Sequence, residues 1–277
     1  MKHKINFCLY GYTAAVCLML LGGVAHAKVV VGMGIHDISA KDKDWQKEAR
    51  LSQAEAAGQQ GDYLTLLAAL QDLSQSGYAP AQERLAELYR NGLPPQPEQS
   101  KKWQQKAMEA YYRQGESQEL AKDFPKAVKS YLRAAKMGHT AAQSRLGLWY
   151  AEGRGQLAKD TAQARYWAEQ AAAKNDAQAQ NILGLMYEDG DGVRQDYARA
   201  LSLYRQSALQ GHRGGSYNLA MMYKNGHGIP RDLYEAARWM LVAVEVGNPV
   251  AADNLRQILK EIKQTDKAAA VPSAKPL

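Results

Sequence analysis

The chain has 277 residues, of which 46% are hydrophobic and 23% charged, a composition that excludes a wholly disordered protein. Its formal net charge of +7 is mild for this length and gives little support for nucleic-acid binding. Alanine is abundant, tyrosine occurs 16 times and phenylalanine only twice, which indicates closely packed helices and not a sheet of β-branched residues.

The first 27 residues have the pattern of an export signal. A short basic head precedes an uncharged run over residues 5–24, and Ala25 and Ala27 stand at positions −3 and −1 of a signal-peptidase site. We expect cleavage before Lys28 and export, either to the bacterial periplasm or, as a second possibility, to the outside of the cell. The uncharged run is also long enough to span a bilayer, so an uncleaved anchor is the alternative interpretation.

Cleavage would restrict the chemistry of the mature chain. Both cysteines, Cys8 and Cys17, lie within the predicted signal, so disulfides, cysteine nucleophiles and cysteine-ligated zinc would be excluded. Loss of Lys2 and Lys4 with the signal would lower the net charge from +7 to +5. We therefore expect no nucleic-acid partner, no cofactor and no metal site, and no stable membrane insertion after cleavage.

After the signal, residues 28–43 are predicted to form a linker or arm, and residues 44–60 an N-terminal helix. Three segments further along then share one pattern at spacings of 37 and 36 residues, which is typical of a repeat protein. In each of them a leucine is followed by a small residue, by tyrosine four residues later and by glycine seven residues later. The leucines are Leu146, Leu183 and Leu219, and the tyrosines are Tyr150, Tyr187 and Tyr223.

Each copy continues with an aspartate 13 or 14 residues after the leucine and closes with asparagine or glycine. Leucine, the small residue and tyrosine fall on one helix face, and the glycine lies where a helix needs a left-handed residue to end. The aspartate is predicted to cap a second helix. Each unit should thus be two antiparallel helices with small residues at their crossing. The aspartates are Asp160, Asp196 and Asp232, and the closing residues are Asn175, Gly211 and Gly247.

Weaker copies extend the pattern towards the N-terminus, with a fourth leucine and tyrosine at Leu85 and Tyr89. The four recurring tyrosines are predicted to lie in the core and to reach a backbone group with their hydroxyls. Residues 249–263 are predicted to form a capping helix, and the tail over 264–277 to be disordered. The unit around 96–122 departs from the pattern.

These motifs closely resemble those of the Sel-one-like repeat family, a branch of the tetratricopeptide superfamily, over residues 62–263 and most specifically over 141–247. The resemblance implies an all-α fold, a right-handed α-solenoid of stacked antiparallel helix pairs, as a repeat domain over 44–263. It also implies that the first helices of successive units line a concave groove.

The positions two before, two after and five after each leucine should then face the groove. They give an apolar middle with a polar margin, which suits an extended peptide or a partner helix. The predicted groove residues are Ser144, Leu148, Asn181, Leu185, Glu188, Tyr217, Met221 and Lys224, with Ala151, Glu83, Glu87 and Arg90 as further positions.

The predicted function is a non-catalytic interaction scaffold or adaptor in the cell envelope that binds a partner protein or peptide. Signatures of serine acyl transfer, of Walker loops and of zinc peptidases are lacking from the sequence. His139 and His212 share one repeat position, where a role in starting a helix is expected. One alternative is a cell-wall hydrolase or β-lactam-binding enzyme, although the paired cysteines of such family members are absent. Another is a secreted effector that binds a host protein.

Overall fold

The computed structural model describes residues 40–92 and 95–269, and all the regular secondary structure of these residues is helical. The described residues from Trp45 onward belong to one compact unit. The predicted signal lies outside the described residues, and so does most of the predicted arm. Of the helices in the described part of the chain, none is both long and apolar enough to cross a membrane.

Twelve helices occur in the described residues, and from α2 onward each packs against the next. They are α1 (Ala40–Gln59), α2 (Tyr63–Gln75), α3 (Ala79–Asn91), α4 (Pro97–Leu120), α5 (Phe124–Lys136), α6 (Thr140–Glu152), α7 (Thr161–Ala172), α8 (Ala177–Asp189), α9 (Tyr197–Leu209), α10 (Arg213–Asn225), α11 (Leu233–Glu245) and α12 (Ala251–Ala269).

Three regular units follow one another in the C-terminal half of the chain. Their first helices are α6, α8 and α10, and their second helices are α7, α9 and α11. Each first helix packs on its own second helix and also contacts the first helix of the neighbouring unit, α6 with α8 and α8 with α10. This arrangement is an all-α helical repeat solenoid and confirms the fold class predicted from the sequence.

The helix boundaries come from the recurring polar and glycine residues. The side chains of Asp160 and Asp196 accept the backbone N–H three residues later, at 3.0 Å in both units, and so cap the second helices. Gly153 and Gly190 adopt left-handed conformations that end the first helices. Asn175 takes a positive φ of 63° after α7, which confirms its predicted place as a closing residue.

The two histidines at equivalent repeat positions also cap helices. Nδ1 of His139 accepts the backbone N–H of Ala142 at 3.2 Å, and Nδ1 of His212 accepts that of Gly215 at 3.1 Å. Burial lowers the pKa of His212 and so favours the neutral imidazole, the form in which this nitrogen can accept. The predicted role at the helix start is confirmed for both residues.

The recurring leucines are buried, and Leu146 and Leu219 have no exposed surface. The recurring tyrosines, in contrast, are only half-buried. The hydroxyl of Tyr187 accepts a hydrogen bond from Arg199 at 3.1 Å, and that of Tyr223 one from Arg205 at 3.2 Å. The recurring tyrosines pack against the buried core clusters, as predicted, but with part of their surface accessible. The predicted bond from the hydroxyl to the backbone is wrong for Tyr187 and Tyr223, which bond to arginine side chains. The residues directly before them, Trp149, Met186 and Met222, are the ones buried in the core.

Small residues allow the two helices of a unit to cross closely. A Cβ atom on Gly184 of α8 would lie 2.5 Å from Cε1 of Tyr204 on α9, a distance at which the two atoms overlap. A Cβ atom on Gly147 of α6 would lie 3.3 Å from the backbone nitrogen of Ala168 on α7, which is tight but not an overlap. The crossing of α8 and α9 therefore has no room for any side chain at Gly184.

The irregular unit is built around α4, which runs for 24 residues where the regular units have two helices and a turn. Its start matches a second helix, because the N–H of Gln96 donates to the carbonyl of Tyr89 at 2.8 Å. Asp196 makes the same bond to Tyr187, also at 2.8 Å. The C-terminal half of α4 matches a first helix, since a Cβ atom on Gly115 would lie 2.6 Å from the ring of Tyr131.

Two predicted boundaries differ from the structure. The first helix begins at Ala40 and not at residue 44, so the last residues of the predicted arm are helical. The last helix runs to Ala269 and not to 263, so the start of the predicted disordered tail is helical too. The hydroxyl of Tyr234 on α11 donates to Asp266 at 3.0 Å and holds this extension. The rest of the predicted tail, residues 270–277, lies outside the described residues.

Gly184→Ala should destabilise the protein by about 1–3 kcal/mol more than Gly147→Ala, because the methyl group added at position 184 overlaps an aromatic ring and the one added at position 147 does not. The gain in helix propensity, about 1 kcal/mol, is common to both variants and cancels in the comparison. Gly184→Leu should lower the melting temperature further. Urea denaturation followed by circular dichroism measures the free energies of unfolding, and equal losses in the two alanine variants would contradict the proposed crossing.

Candidate functional site: the inner wall

The first helices α6, α8 and α10 form a continuous wall, because each contacts the next across the unit boundary. All eight predicted groove residues belong to these three helices. The structure places Asn181, Leu185 and Glu188 on α8, the central helix of the wall. Ser144 and Leu148 lie on α6, while α10 carries the remaining three, Tyr217, Met221 and Lys224.

Leu185 is the exposed apolar side chain at the centre of this wall, with 40% of its surface accessible. Its equivalents in the neighbouring units are half-buried. Leu148 packs against the buried residues of two core clusters, and Met221 packs against the cluster that contains Met240 and Ile258. The apolar middle of the predicted strip therefore consists of one accessible leucine between two partly covered side chains.

Ser144 does not face the groove, and this part of the sequence prediction is wrong. Only 1% of its surface is accessible, and its Oγ has no hydrogen-bond partner among the described residues. The residues two positions to either side, Ala142 and Leu146, are fully buried as well, so this part of α6 lies within the packed core. A serine buried in this way is not available to a partner.

Glu188 holds three parts of the structure together. Its Oε2 accepts the hydroxyl of Tyr204 at 2.7 Å, and its Oε1 lies 3.1 Å from Nδ1 of His227 in the loop between α10 and α11. Burial and this carboxylate raise the pKa of Tyr204, so the phenol stays neutral and donates. The ring of His227 also lies against Tyr197, with centroids 5.3 Å apart. Glu188 thus joins two units.

The other polar residues of the margin are bonded within the chain as well. Asn181 accepts a hydrogen bond from Asn218 of the neighbouring first helix at 2.9 Å. Nζ of Lys224 lies 3.6 Å from a carboxylate oxygen of Glu261 on α12. Tyr217 is half-buried. These contacts fix the margin around Leu185 before any partner binds.

A tyrosine–carboxylate bond recurs along the helical array and was missed by sequence reasoning. The hydroxyl of Tyr131 donates to Glu119 at 2.8 Å, as that of Tyr204 does to Glu188. Each of these glutamates stands four residues after a crossing glycine, which is the signal that could have revealed both pairs. The predicted position Glu83 takes part in a third bond of this kind, from Tyr111 at 2.8 Å.

An enzyme would need titratable groups that converge in a closed site, and two histidine–carboxylate pairs provide a test. Nε2 of His139 lies 3.3 Å from Glu109, and Nδ1 of His227 lies 3.1 Å from Glu188. His139 already uses Nδ1 to cap α6, and 41% of the side chain of His227 is accessible to solvent, so neither pair lies in a closed site. Within residues 44–92 and 95–266, no group of three or more candidate metal ligands comes together.

The Sel1 repeat family model matches five consecutive segments, residues 79–112, 109–139, 140–176, 177–212 and 215–248. Together they make up more than half of the chain, which therefore belongs to the Sel1 repeat family. The overlap at 109–112 falls within α4, where one helix serves two units. Sel1 repeat proteins are generally protein-interaction scaffolds.

Two solved structures are similar to this chain. A Sel1 repeat protein from Oxalobacter formigenes shares 25% identity with a TM-score of 0.52, over 82% of this chain and 99% of that one. A protective antigen of uropathogenic Escherichia coli strains with an SLR fold shares 29% identity with a TM-score of 0.50, over 80% of this chain. This chain spans 51%, about half, of the length of that antigen. No curated protein matched.

Glu188→Leu should destabilise the protein by about 1–3 kcal/mol, because it leaves the buried hydroxyl of Tyr204 without an acceptor. Glu188→Gln keeps an oxygen at the same place and should cost clearly less. Urea denaturation of both variants measures the difference. Equal stability of Glu188→Leu and the unchanged protein would show that the tyrosine–carboxylate bond does not hold the wall together.

Proposed function

We propose that this protein is a non-catalytic scaffold of the bacterial cell envelope that binds a partner protein or peptide along the wall formed by α6, α8 and α10. The observation that carries this proposal is the accessible side chain of Leu185 at the centre of the wall, in a margin already fixed by internal bonds. A prearranged surface loses little side-chain entropy on binding, which favours affinity.

The chemistry of the wall suits a partner with an apolar anchor. A leucine with accessible surface between two partly covered apolar side chains can be buried by one aliphatic or aromatic side chain of a bound helix or extended segment. Because each solenoid unit touches only its neighbours, the wall is long and offers contacts along its whole length.

The enzyme alternative has weaker support. A cell-wall hydrolase or β-lactam-binding enzyme needs a free base or nucleophile, whereas the histidine of one pair caps a helix and the carboxylate of the other bridges two units. The structural roles of these groups account for their geometry without a reaction.

The envelope location is proposed from the export signal. The alternative, a secreted effector that binds a host protein, uses the same wall and differs in where the protein is found. Fractionation of cells that produce a tagged chain into periplasm, membrane and culture medium separates these cases.

Leu185→Asp should weaken partner binding at least about tenfold, because it places a charge where an apolar anchor would be buried. The partner is first trapped in cells with a photo-crosslinking amino acid at position 185 and identified by mass spectrometry. Binding of the purified partner to both chains is then measured by calorimetry, while circular dichroism checks the fold. Leu185→Asp combined with Met221→Asp should abolish binding.

The matched control is Leu209→Asp, which changes an exposed leucine on the second helix α9. It should leave partner affinity unchanged. If Leu209→Asp weakened binding as much as Leu185→Asp, or if Leu185→Asp had no effect, the binding surface would lie elsewhere.

Cleavage of the export signal should give a mature chain that begins at Lys28. Intact-mass measurement of the protein from the periplasmic fraction tests this, and Ala27→Asp should block processing because the peptidase requires a small residue at position −1. A full-length chain found only in the membrane fraction would instead establish the anchor.

A further inference from the structure

Three glutamines occupy the same position, three residues before a recurring leucine in the first helix of a unit. They are Gln82, Gln143 and Gln180. The first two make the same bond to the unit before them. Nε2 of Gln82 donates to the carbonyl of Ser74 at 2.9 Å, and Nε2 of Gln143 donates to the carbonyl of Ala135 at 3.0 Å. At these two boundaries the amide nitrogen of the glutamine is held by the preceding unit, and its oxygen is left for another donor.

In the two regular units that carry this glutamine, a side chain from the end of the second helix supplies a donor to its oxygen. Nζ of Lys174 lies 3.1 Å from Oε1 of Gln143 and also donates to the carbonyl of Gly138 at 2.6 Å. Nε2 of Gln210 donates to Oε1 of Gln180 at 2.7 Å. Both donors come 14 residues after the residue that caps their helix, Asp160 for Lys174 and Asp196 for Gln210.

In the irregular unit this donor is missing. The residue 14 positions after Gln96 is Ala110, which cannot donate from its side chain. Oε1 of Gln82 and Oγ of Ser74 accordingly have no hydrogen-bond partner in the described part of the chain. Both side chains are deeply buried, with 5% and 2% of their surface accessible. A buried acceptor without a donor is unfavourable, so this place is suited to a donor from another molecule.

A cleft lies at this place. Its volume is about 860 Å³, and its lining includes Ser74, Gly77, Gln82 and Ala110. In the regular unit, α7 ends just before Lys174. At the equivalent position of the irregular unit, α4 continues without a break, and the cleft lies beside it. The turn that carries the donor in the regular unit has no counterpart here.

The other side chains that line the cleft carry mainly positive charge. They include Lys102, Lys106 and Arg113, and one acid, Glu109. Glu109 is already paired with Arg113 at 2.8 Å, and this guanidinium, with a smaller contribution from His139, holds the pKa of the carboxyl below its usual value. Lys106 lies over the ring of Trp103 at 4.4 Å. The net positive charge disfavours an ammonium group as the incoming donor and attracts carboxylates.

We propose that this cleft binds a peptide segment of a partner protein, with an amide side chain that donates to Gln82 and flanking acidic residues that contact the lysines. The inserted amide would take the place that Gln210 takes in its own unit. The proposal rests on the role of the protein as a scaffold but not on Leu185, because the cleft is lined by residues of α2, α3, α4 and the α2–α3 turn and by none of α6, α8 or α10.

A fluorescein-labelled pentapeptide with glutamine at its centre and two glutamates on either side is the probe. Fluorescence anisotropy should show binding to the unchanged protein. Replacement of the central glutamine by leucine should weaken it about tenfold, because Gln82 is then covered without a donor. Replacement of the four glutamates by lysines should abolish it. No binding to the unchanged protein, or equal binding of the glutamine and leucine peptides, would overturn the proposal.

Ala110→Gln supplies the missing donor from within the chain. It should block peptide binding while the melting temperature stays the same or rises, since Gln82 gains a partner. The matched control is Ala198→Gln, on an exposed position of α9, which should bind the peptide as the unchanged protein does. Peptide binding to Ala110→Gln at unchanged affinity would contradict the proposal.

Two further variants keep the outcome decisive. Gln82→Leu removes the acceptor and should abolish the preference for the glutamine peptide over the leucine peptide. This test does not depend on whether Ala110→Gln folds. A preference that persists would contradict the proposal that the peptide binds through Gln82. Leu185→Asp should leave peptide affinity unchanged. If it lowered that affinity, the peptide would be binding to the wall and the cleft proposal would fail, while the proposed function would stand.

Discussion

The close crossing of the two helices within each unit is the contact on which the array depends. At the crossing of α8 and α9, Gly184 leaves room for the ring of Tyr204, and Glu188 fixes that ring through its hydroxyl. Gly115, Tyr131 and Glu119 repeat this combination earlier in the chain. Because the units of a solenoid contact only their neighbours, the crossing within each unit sets the position of its first helix. The successive first helices together form the wall.

The parts of the fold that were predictable are those determined by short-range physics. Aspartate caps, left-handed glycines and the buried leucines act within one helix or turn, so the local sequence was sufficient. The first-helix half of α4 was missed, because glutamines at 114 and 118 stand where the regular units have leucine and tyrosine. Gly115 and Glu119 are the residues that mark this half of α4 as a first helix. Both do so by contacting an aromatic ring from another helix.

The candidate site was less predictable, because exposure depends on neighbouring helices and not on the period alone. The repeat rule placed Ser144, Asn181 and Tyr217 at one equivalent position, yet the first is buried and the other two are half-buried. Only Leu185 keeps the accessible surface expected of the apolar strip. The unpaired oxygen of Gln82 could be found only by comparing hydrogen bonds between units, which requires the structure.

The regular and irregular parts of the array offer different surfaces. In two regular units the oxygen of the boundary glutamine has an internal donor, Lys174 or Gln210, and Leu185 is the accessible apolar side chain of the wall. The continuous helix α4 lacks such an internal donor, and the cleft beside it is lined by a buried glutamine whose oxygen has no partner in the described part of the chain. Both features suit the binding of another protein, and neither requires a reaction.

A double-mutant cycle between positions 184 and 204 tests the dependence on the helix crossing most directly. The free energies of unfolding of Gly184→Ala, Tyr204→Leu and the double variant are compared with that of the unchanged protein. The account predicts that Tyr204→Leu makes room for the added methyl group, so that the two costs are coupled by about 0.5–3 kcal/mol. Strictly additive costs would contradict it.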